Sequence, residues 1–167
     1  MLSPNDIIIH LTNCDFSYPI FYIAADNRTN LMETLIIEGS TVNPSVNFNP
    51  YERTLEISGY SRPENVRDFY MPLIEWLEEY KNWVLKNQKP NTDLEPIAFK
   101  FKYIYFNSSS AKFIHDTILV IQNMQKNNIP IKVYWYFDED DDELREAGEE
   151  LSDMGNVPFH FVEITRS

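Results

Sequence analysis

Hydrophobic and polar positions follow two different periods in the second half of the chain. Residues 97–106 alternate, with aromatic side chains on one face, which predicts a strand. Apolar residues from Phe113 to Met124 then recur at the three-and-four spacing of a helix, and residues 131–137 predict a second aromatic strand. Because one helix separates these two strands, a right-handed crossover into a parallel pair is strongly favoured.

Shorter alternating segments precede this unit. Residues 35–38, 46–48 and 54–57 predict three strands, with a turn at Asn49-Pro50, so we expect an antiparallel start. Towards the C-terminus, a short helix is predicted around Leu144 to Leu151 and a last strand over residues 158–164.

A long helix is predicted between the antiparallel strands and residue 97. Ser61-Arg62-Pro63-Glu64 fits a capping box, which predicts that the helix begins there. Its apolar face is Val66, Phe69, Tyr70, Leu73, Ile74, Leu77 and Tyr80. Pro72 lies inside this pattern and predicts a kink or the first turn of a new helix. The predicted order is β-β-β-α-β-α-β-α-β, an α/β sandwich with an antiparallel edge.

Size and composition predict one domain. A chain of 167 residues with 43% hydrophobic content can bury one substantial core and is short for two. Residues 1–31 lack a sustained period, whereas Met32 directly precedes an alternating segment. Two interpretations stay open: the biological start is Met32, or residues 1–31 are a genuine extension of a domain spanning residues 32–167.

Charge narrows the class of partner. The formal net charge of -12 argues against nucleic acid and anionic membranes, because both require clustered Lys and Arg; basic proteins or metal ions are more natural partners. Cys14 is the single cysteine, so an intramolecular disulfide is impossible and a reducing compartment is the simpler assumption. No apolar run approaches the roughly 20 residues of a membrane-spanning helix. The chain is therefore predicted to be soluble and cytoplasmic.

The segment Asn107-Ser108-Ser109-Ser110 stands between the predicted strand ending at residue 106 and the following helix. Free backbone N–H groups and the positive end of the helix dipole favour an anion there, and a serine can itself be made anionic by phosphorylation. This favours a switch over an enzyme. The alternative is structural: one hydroxyl caps the helix and the others are solvated.

An acidic segment, Asp138 to Glu143, leaves the end of the neighbouring parallel strand. Functional groups gather beyond the carboxyl ends of parallel strands, so we expect the serine and acidic segments to share one edge. A phosphate on Ser108 would then lie beside Asp138, Glu139 and Asp140 and change any partner surface through like-charge repulsion. The alternatives are a solvated acidic loop that favours the next helix's N-terminus, and a divalent-cation site.

Other patterns for catalysis or cofactor binding are weak. His10, His115 and His160 are widely spaced, and no nucleophile triad can be assembled from them. The glycines are isolated, so a phosphate-binding glycine-rich loop is absent from the sequence. We therefore predict no enzymatic activity, no cofactor and no resident metal. The competing enzyme hypothesis is a metal-dependent hydrolase using Asp138, Glu139, Asp140 and Asp142.

Five segments of the chain resemble the SiaC family of bacterial regulatory phosphoproteins. They are ETLIIEG from Glu33, LEISGYSRPENVRDFYMPLIEWLEEY from Leu55, YFNSSSAK from Tyr105, VYWYFDEDDDELREAGEE from Val133 and PFHFVEI from Pro158. The resemblance covers nearly all of residues 32–167, and residues 1–31 have no counterpart in the family pattern. It implies a fold like the STAS domains of anti-sigma-factor antagonists, with a mixed sheet, antiparallel N-terminal strands, a parallel core and helices packed on the sheet.

The resemblance also implies partners and a switch residue. In such proteins a hydroxyl residue after a central strand is phosphorylated by a dedicated serine/threonine kinase and dephosphorylated by a metal-dependent phosphatase. The unphosphorylated form binds a diguanylate cyclase and promotes cyclic di-GMP synthesis and biofilm formation. The family usually has threonine in an Asn-Thr-Ser-Ser context, which maps to Ser108 in this chain; serine keeps the acceptor hydroxyl and lacks the methyl group.

The resulting hypothesis is a non-enzymatic signalling phosphoprotein whose phosphorylation at Ser108 controls partner binding. The predicted partner surface comprises Asn107, Ser109, Ser110, Asp138, Glu139 and Asp140. The alternative from the same fold class is a STAS-type antagonist of an anti-sigma factor. The partner's identity, the oligomeric state and the active phosphorylation state stay open at this point.

Overall fold

In the part of the chain that the structure describes, the fold is a single seven-stranded sheet with three helices. The computed structural model describes residues 31–87 and 95–165, together with the backbone of residues 20–22. The strands are β1 (Ile20–Tyr22), β2 (Leu35–Ile37), β3 (Ser45–Asn49), β4 (Thr54–Ser61), β5 (Ile97–Phe106), β6 (Ile131–Asp138) and β7 (Phe159–Ile164). The helices are α1 (Val66–Asn87), α2 (Ser108–Lys126) and α3 (Asp142–Gly155).

The strands lie in the sheet in the same order as in the chain, β1-β2-β3-β4-β5-β6-β7. Pairing is antiparallel from β1 to β4 and parallel from β4 to β7. Each helix connects a parallel strand to its immediate neighbour in the same direction, so right-handed crossovers place all three helices on one face. This confirms the predicted α/β sandwich with antiparallel N-terminal strands and a parallel core.

The core lies between the sheet and this helical layer. Strand side chains that point towards the helices are buried, such as Phe99 and Phe101 of β5, which are 0% exposed. Aromatic rings join the layers: Phe48 of β3 and Trp76 of α1 have centroids 5.2 Å apart. On β6, Trp135 Nε1 donates to the carbonyl oxygen of Leu144 in α3 at 2.9 Å. Burial of these large apolar surfaces supplies the main stabilisation of the sandwich.

The predicted capping box at Ser61 is wrong. Strand β4 extends to Ser61 through a register irregularity between Gly59 and Tyr60, and the Ser61 side chain is buried. Helix α1 begins later, at Val66. Asn65 makes the capping contact instead, because its Oδ1 accepts from the backbone N–H of Asp68 in the first turn at 3.3 Å.

Helix α1 runs without interruption through Pro72, so the prediction of a new helix at that proline is also wrong. Helix α3 is longer than predicted at both ends, and it includes Gly148 and Gly155, whose Cα atoms approach neighbouring side chains. A Cβ at position 148 would lie 2.5 Å from Trp135 Nε1. Glycine at this position therefore lets α3 pack directly on the indole of β6.

At the N-terminal side, the backbone of residues 20–22 forms β1, which pairs antiparallel with β2 through Ile20 and Ile37. The remainder of the segment 1–31, except Leu31, lies outside the described residues, as do residues 88–94. Among the helices described, none is both long and apolar enough to span a membrane.

Candidate functional site at the carboxyl edge of the sheet

Helix α2 begins directly at the end of the central strand β5. Asn107 occupies the N-cap position with extended backbone angles, φ -88 and ψ 169, and its Oδ1 accepts from the backbone N–H of Ser110 at 2.8 Å. Its carbonyl oxygen accepts from Ala111 N at 2.9 Å, which closes the first helical turn. The alternative interpretation, in which a serine hydroxyl caps this helix, is therefore wrong, because the side-chain oxygen of Asn107 has that role.

The three serines that follow have different environments. Ser108 and Ser109 are exposed, whereas the side chain of Ser110 is 0% exposed. Ser108 is the first residue of α2, where the positive end of the helix dipole favours an added negative charge. Ser110 faces the interior, so its hydroxyl does not contribute to the partner surface on which it was predicted to lie.

Ser110 instead fastens α2 to strand β4. Its hydroxyl donates to the carbonyl oxygen of Ser61 at 3.0 Å and accepts from the Ser61 hydroxyl at 2.9 Å. The same Ser61 carbonyl accepts from the backbone N–H of Asn107 at 3.1 Å. These bonds hold the start of α2 against the last residue of β4. They therefore fix the position of the exposed Ser108 on the protein surface.

These bonds continue inward as a buried hydroxyl network, formed by Ser110, Ser61, Tyr70 and Tyr103. Tyr70 Oη lies 2.7 Å from Ser61 Oγ and 3.1 Å from Tyr103 Oη. Each hydroxyl has one proton to donate, and that of Ser61 goes to Ser110. Tyr70 must therefore donate to Ser61, and Tyr103 must donate to Tyr70. Every bond between two hydroxyls in the network thus runs in the same direction, from Tyr103 towards Ser110.

Burial shifts the acidity of both tyrosines in this network. Desolvation raises the pKa of Tyr70 above its ordinary value of 10.0, against smaller lowering effects of its hydrogen bonds to Ser61, Tyr103 and Ser110. Desolvation raises the pKa of Tyr103 well above 10.0, and its bond to Tyr70 adds to this rise. Both phenols therefore remain protonated at neutral pH and serve as hydrogen-bond donors.

The acidic segment lies at the same edge of the sheet, beyond β6. Asp138 is the last residue of β6, and Glu139 and Asp140 are exposed. Asp141 is the N-cap of α3, where its Oδ1 accepts from the backbone N–H of Leu144 at 2.9 Å. Part of this segment therefore has the structural role weighed above, that of favouring the N-terminus of the next helix.

The serine segment contacts the end of β4, whereas the strand pairing that would bring it beside the acidic segment ends earlier. Pairing of β5 with β6 is described up to Phe101 and Trp135, whereas pairing of β5 with β4 continues to Phe106 and Ser61. The two predicted segments thus share the carboxyl edge, as expected for parallel strands. The hydrogen bonds between the serine segment and a neighbouring strand go to Ser61 of β4.

Metal binding has little geometric support at this edge. Within residues 31–87 and 95–165, no group of three or more His, Cys, Asp or Glu side chains converges to hold a metal ion. The carboxylates proposed for a hydrolase, Asp138, Glu139, Asp140 and Asp142, do not form such a group. A metal-dependent hydrolase would require converging oxygen ligands.

Three residues of the network, Ser61, Tyr70 and Tyr103, were missed by sequence reasoning. Ser61 and Ser110 are 49 positions apart, and Tyr70 and Tyr103 are 33 apart. A local pattern carries no signal for such contacts. The nearest available hint was that tyrosines occupy apolar positions of a helix and of a strand, where their hydroxyls need partners.

Comparison with known proteins gives consistent matches. A solved structure of SiaC of Pseudomonas aeruginosa superposes with a TM-score of 0.63 at 21% identity, covering 81% of this chain and 100% of that chain. A second structure, the diguanylate cyclase SiaD in complex with its activator SiaC from the same organism, matches with a TM-score of 0.64 at 21% identity, covering 79% of this chain and 99% of that chain. These likenesses show a shared fold.

Sequence comparison agrees with the structural one. An uncharacterized protein of Pseudomonas aeruginosa is 23% identical over 128 residues, which is 77% of this chain and 94% of the relative. The model of the SiaC family regulatory phosphoproteins matches residues 37–164, from the end of β2 to the end of β7. The chain therefore belongs to the SiaC family of regulatory phosphoproteins.

Proposed function

We propose that this protein is a non-enzymatic signalling phosphoprotein whose phosphorylation state at Ser108 controls binding to a partner protein. The observation that carries the proposal is the contrast within the serine segment. Ser108 is exposed at the first position of α2, while Ser110 is buried and anchors the same turn to Ser61. A modifying kinase requires an accessible acceptor hydroxyl, which Ser108 offers and the buried Ser110 does not.

A phosphate at Ser108 would alter the edge by charge. It adds about -1.5 to -2 charges and three acceptor oxygens at the positive end of α2, whose first turn has no acidic residue. Glu139 and Asp140 are exposed at the same edge, so the modified surface would be strongly negative. Asn107, Ser109 and Asp138 complete the proposed partner surface.

The proposed partner is a diguanylate cyclase, which the unphosphorylated protein binds and activates. Support comes from the solved complex in which SiaC is the activator of the diguanylate cyclase SiaD. A cognate serine/threonine kinase and a metal-dependent phosphatase set the phosphorylation state in this scheme. In this scheme the functional unit is residues 32–167, and the match of the family model to residues 37–164 supports this.

Phosphoserine incorporated at position 108 during translation tests this proposal without a kinase. The modified and unmodified proteins are immobilised and exposed to lysate of the native cells, and cyclic di-GMP formation from GTP is measured on the beads. Cyclase activity should be retained by the unmodified protein and lost with phosphoserine at 108. Phosphoserine at 109 is the matched control, since Ser109 is also exposed. Equal retention by all three proteins would overturn the assignment of Ser108.

A further inference from the structure

One face of the sheet carries no helix in the described part of the chain. All three helices pack on the face that bears Phe48, Phe101 and Trp135. The opposite face, here called the open face, is formed across β4 to β7 by the intervening residues of each strand. It comprises Glu56, Ser58, Tyr60, Lys100, Lys102, Ile104, Lys132, Tyr134, Tyr136, His160 and Val162.

The open face has a charge opposite to that of the whole protein. It bears three lysines, Lys100, Lys102 and Lys132, in a chain of net charge -12. Lys102 is neutralised by Glu56, with Nζ and Oε2 2.8 Å apart. Lys100 and Lys132 form no ion pair with another described residue. As far as residues 31–87 and 95–165 are concerned, two lysines therefore remain available to carboxylates of a partner.

Rings and aliphatic side chains lie among these lysines. Tyr134 and His160 are stacked, with ring centroids 5.2 Å apart. Lys102 Nζ lies 5.0 Å from the centroid of the Tyr136 ring. Tyr60 and Ile104 are both 40% exposed at the carboxyl end of the same face. The face thus combines tyrosine and aliphatic contact area, which is enriched at protein interfaces, with localised positive charge that can complement carboxylates of a partner.

We infer that the open face is a second docking surface and that its occupant is an acidic, amphipathic segment of a partner protein. Carboxylates of that segment pair with Lys100 and Lys132, while its apolar side chains pack on Tyr134, Tyr136 and Ile104. A nucleic acid or an anionic membrane is disfavoured, because two free lysines cannot offset the repulsion of a chain of net charge -12.

The two unpaired lysines of this surface lie away from the carboxyl edge. Ser108 starts the helix that follows β5, whereas Lys100 and Lys132 lie in the interior of β5 and β6. Phosphorylation and docking on the open face can therefore be measured independently. The inference goes beyond the proposed function and does not require Ser108 to be modified.

The test uses a library of random 16-residue peptides displayed on phage, selected against the full-length unphosphorylated protein. Selected peptides should be enriched in Asp and Glu together with Leu, Ile or aromatic residues. Their affinity should fall by about tenfold or more in the charge-reversed protein Lys100→Glu/Lys132→Glu, and should weaken with added salt. Lys86→Glu/Lys126→Glu, with the same charge change at exposed ends of α1 and α2, should bind like wild type.

Each outcome decides the inference. Peptides without acidic enrichment, or equal binding by the charge-reversed and wild-type proteins with matching melting temperatures, would overturn it. Amide resonances of β5 and β6 should shift on peptide addition, and shifts confined to the helices would also overturn it. Sedimentation of the protein alone tests a second copy as occupant: a dimer that Lys100→Glu/Lys132→Glu dissociates would replace the acidic partner. Binding of a DNA duplex or of phosphatidylserine vesicles through the same lysines would likewise contradict it.

Discussion

The hydroxyl of Ser110 donates to the carbonyl oxygen of Ser61 at 3.0 Å and accepts from the hydroxyl of the same residue at 2.9 Å. This double contact joins the first turn of α2 to the last residue of β4, two elements that are 49 positions apart at the point of contact. It places the exposed Ser108 on a turn that cannot rotate freely. The proposed switch therefore depends on a buried serine as well as on an exposed one.

Ser110→Ala should destabilise the protein by about 1–3 kcal/mol, because the Ser61 hydroxyl is left as a buried donor without its acceptor. Thermal unfolding followed by circular dichroism measures the loss. Ser109→Ala, at an exposed neighbouring position, should stay within about 0.5 kcal/mol of wild type. Identical melting temperatures for the two variants would show that the network contributes nothing to stability.

A double-mutant cycle on Ser61→Ala and Ser110→Ala should reveal coupling of at least about 0.5 kcal/mol, since either substitution alone breaks the hydrogen bond between the two side-chain hydroxyls. The double variant is therefore expected to be more stable than the sum of the single effects predicts. Urea unfolding of the four proteins gives the coupling energy. Strict additivity would contradict the hydrogen-bond assignment.

Substitution of Ser108 should affect partner binding far more than folding. Ser108→Ala is expected to leave the melting temperature almost unchanged and to block labelling by the kinase, because the side chain is exposed. Ser108→Asp should raise stability by about 0.3–1 kcal/mol at low salt through the helix dipole, yet weaken partner binding. Calorimetric titration with the purified partner measures the second effect; wild-type affinity in Ser108→Asp would argue strongly against the switch. An aspartate carries only about half a phosphate's charge, so phosphoserine gives the larger signal.

Gly148→Ala should destabilise the protein by about 1–3 kcal/mol, because the new Cβ would lie 2.5 Å from Trp135 Nε1. The indole must move, which also strains its hydrogen bond to the Leu144 carbonyl. Chemical denaturation with tryptophan fluorescence detection reports both changes. Glu146→Ala, on an exposed position of α3, is the control and should be close to neutral.

Alkaline pH should destabilise the protein through the buried tyrosines. The folded-state pKa values of Tyr70 and Tyr103 are raised above 10.0 by burial, whereas in the unfolded chain both phenols regain ordinary acidity. The stabilisation by their protonated forms is therefore complete below about pH 10 and is lost as the pH rises towards the folded-state values. Melting temperatures measured from about pH 8 to about pH 11 test this. The decline should be shallower in Tyr103→Phe than in wild type.

Much of the architecture was predictable because its periods are local. Strand β5 has the predicted bounds, Ile97–Phe106, and the crossover into a parallel pair follows from one helix between two strands. The boundaries that were wrong depend on distant contacts. Ser61 fits a cap by its local sequence, but its hydroxyl bonds to Tyr70 and Ser110, which keeps it in β4. Tertiary contacts here override a local signal.

The candidate site shows the same division. Its place after the central strand was predictable, since parallel strands collect functional groups at their carboxyl ends. The distinct environments of Ser108, Ser109 and Ser110 were not predictable, because three identical side chains in a row differ only in their tertiary contacts. Two lysines of the open face, Lys100 and Lys102, were visible as residues that alternate with aromatic side chains in β5. Strand order and the handedness of the crossovers together decide which face of the sheet the helices cover, and the sequence of β5 alone does not show this.

The strand order has a consequence for how the protein forms. Since every strand pairs with its neighbours in the chain, no strand has to be inserted between two that are already joined. The sheet can grow by the addition of one strand at a time at one margin. Each parallel strand from β5 to β7 is joined to the strand before it by a connection that contains only one helix, so the loss of chain entropy is small at every step. During synthesis on the ribosome, β4 to β6 with their helices can therefore assemble before β7 has been translated.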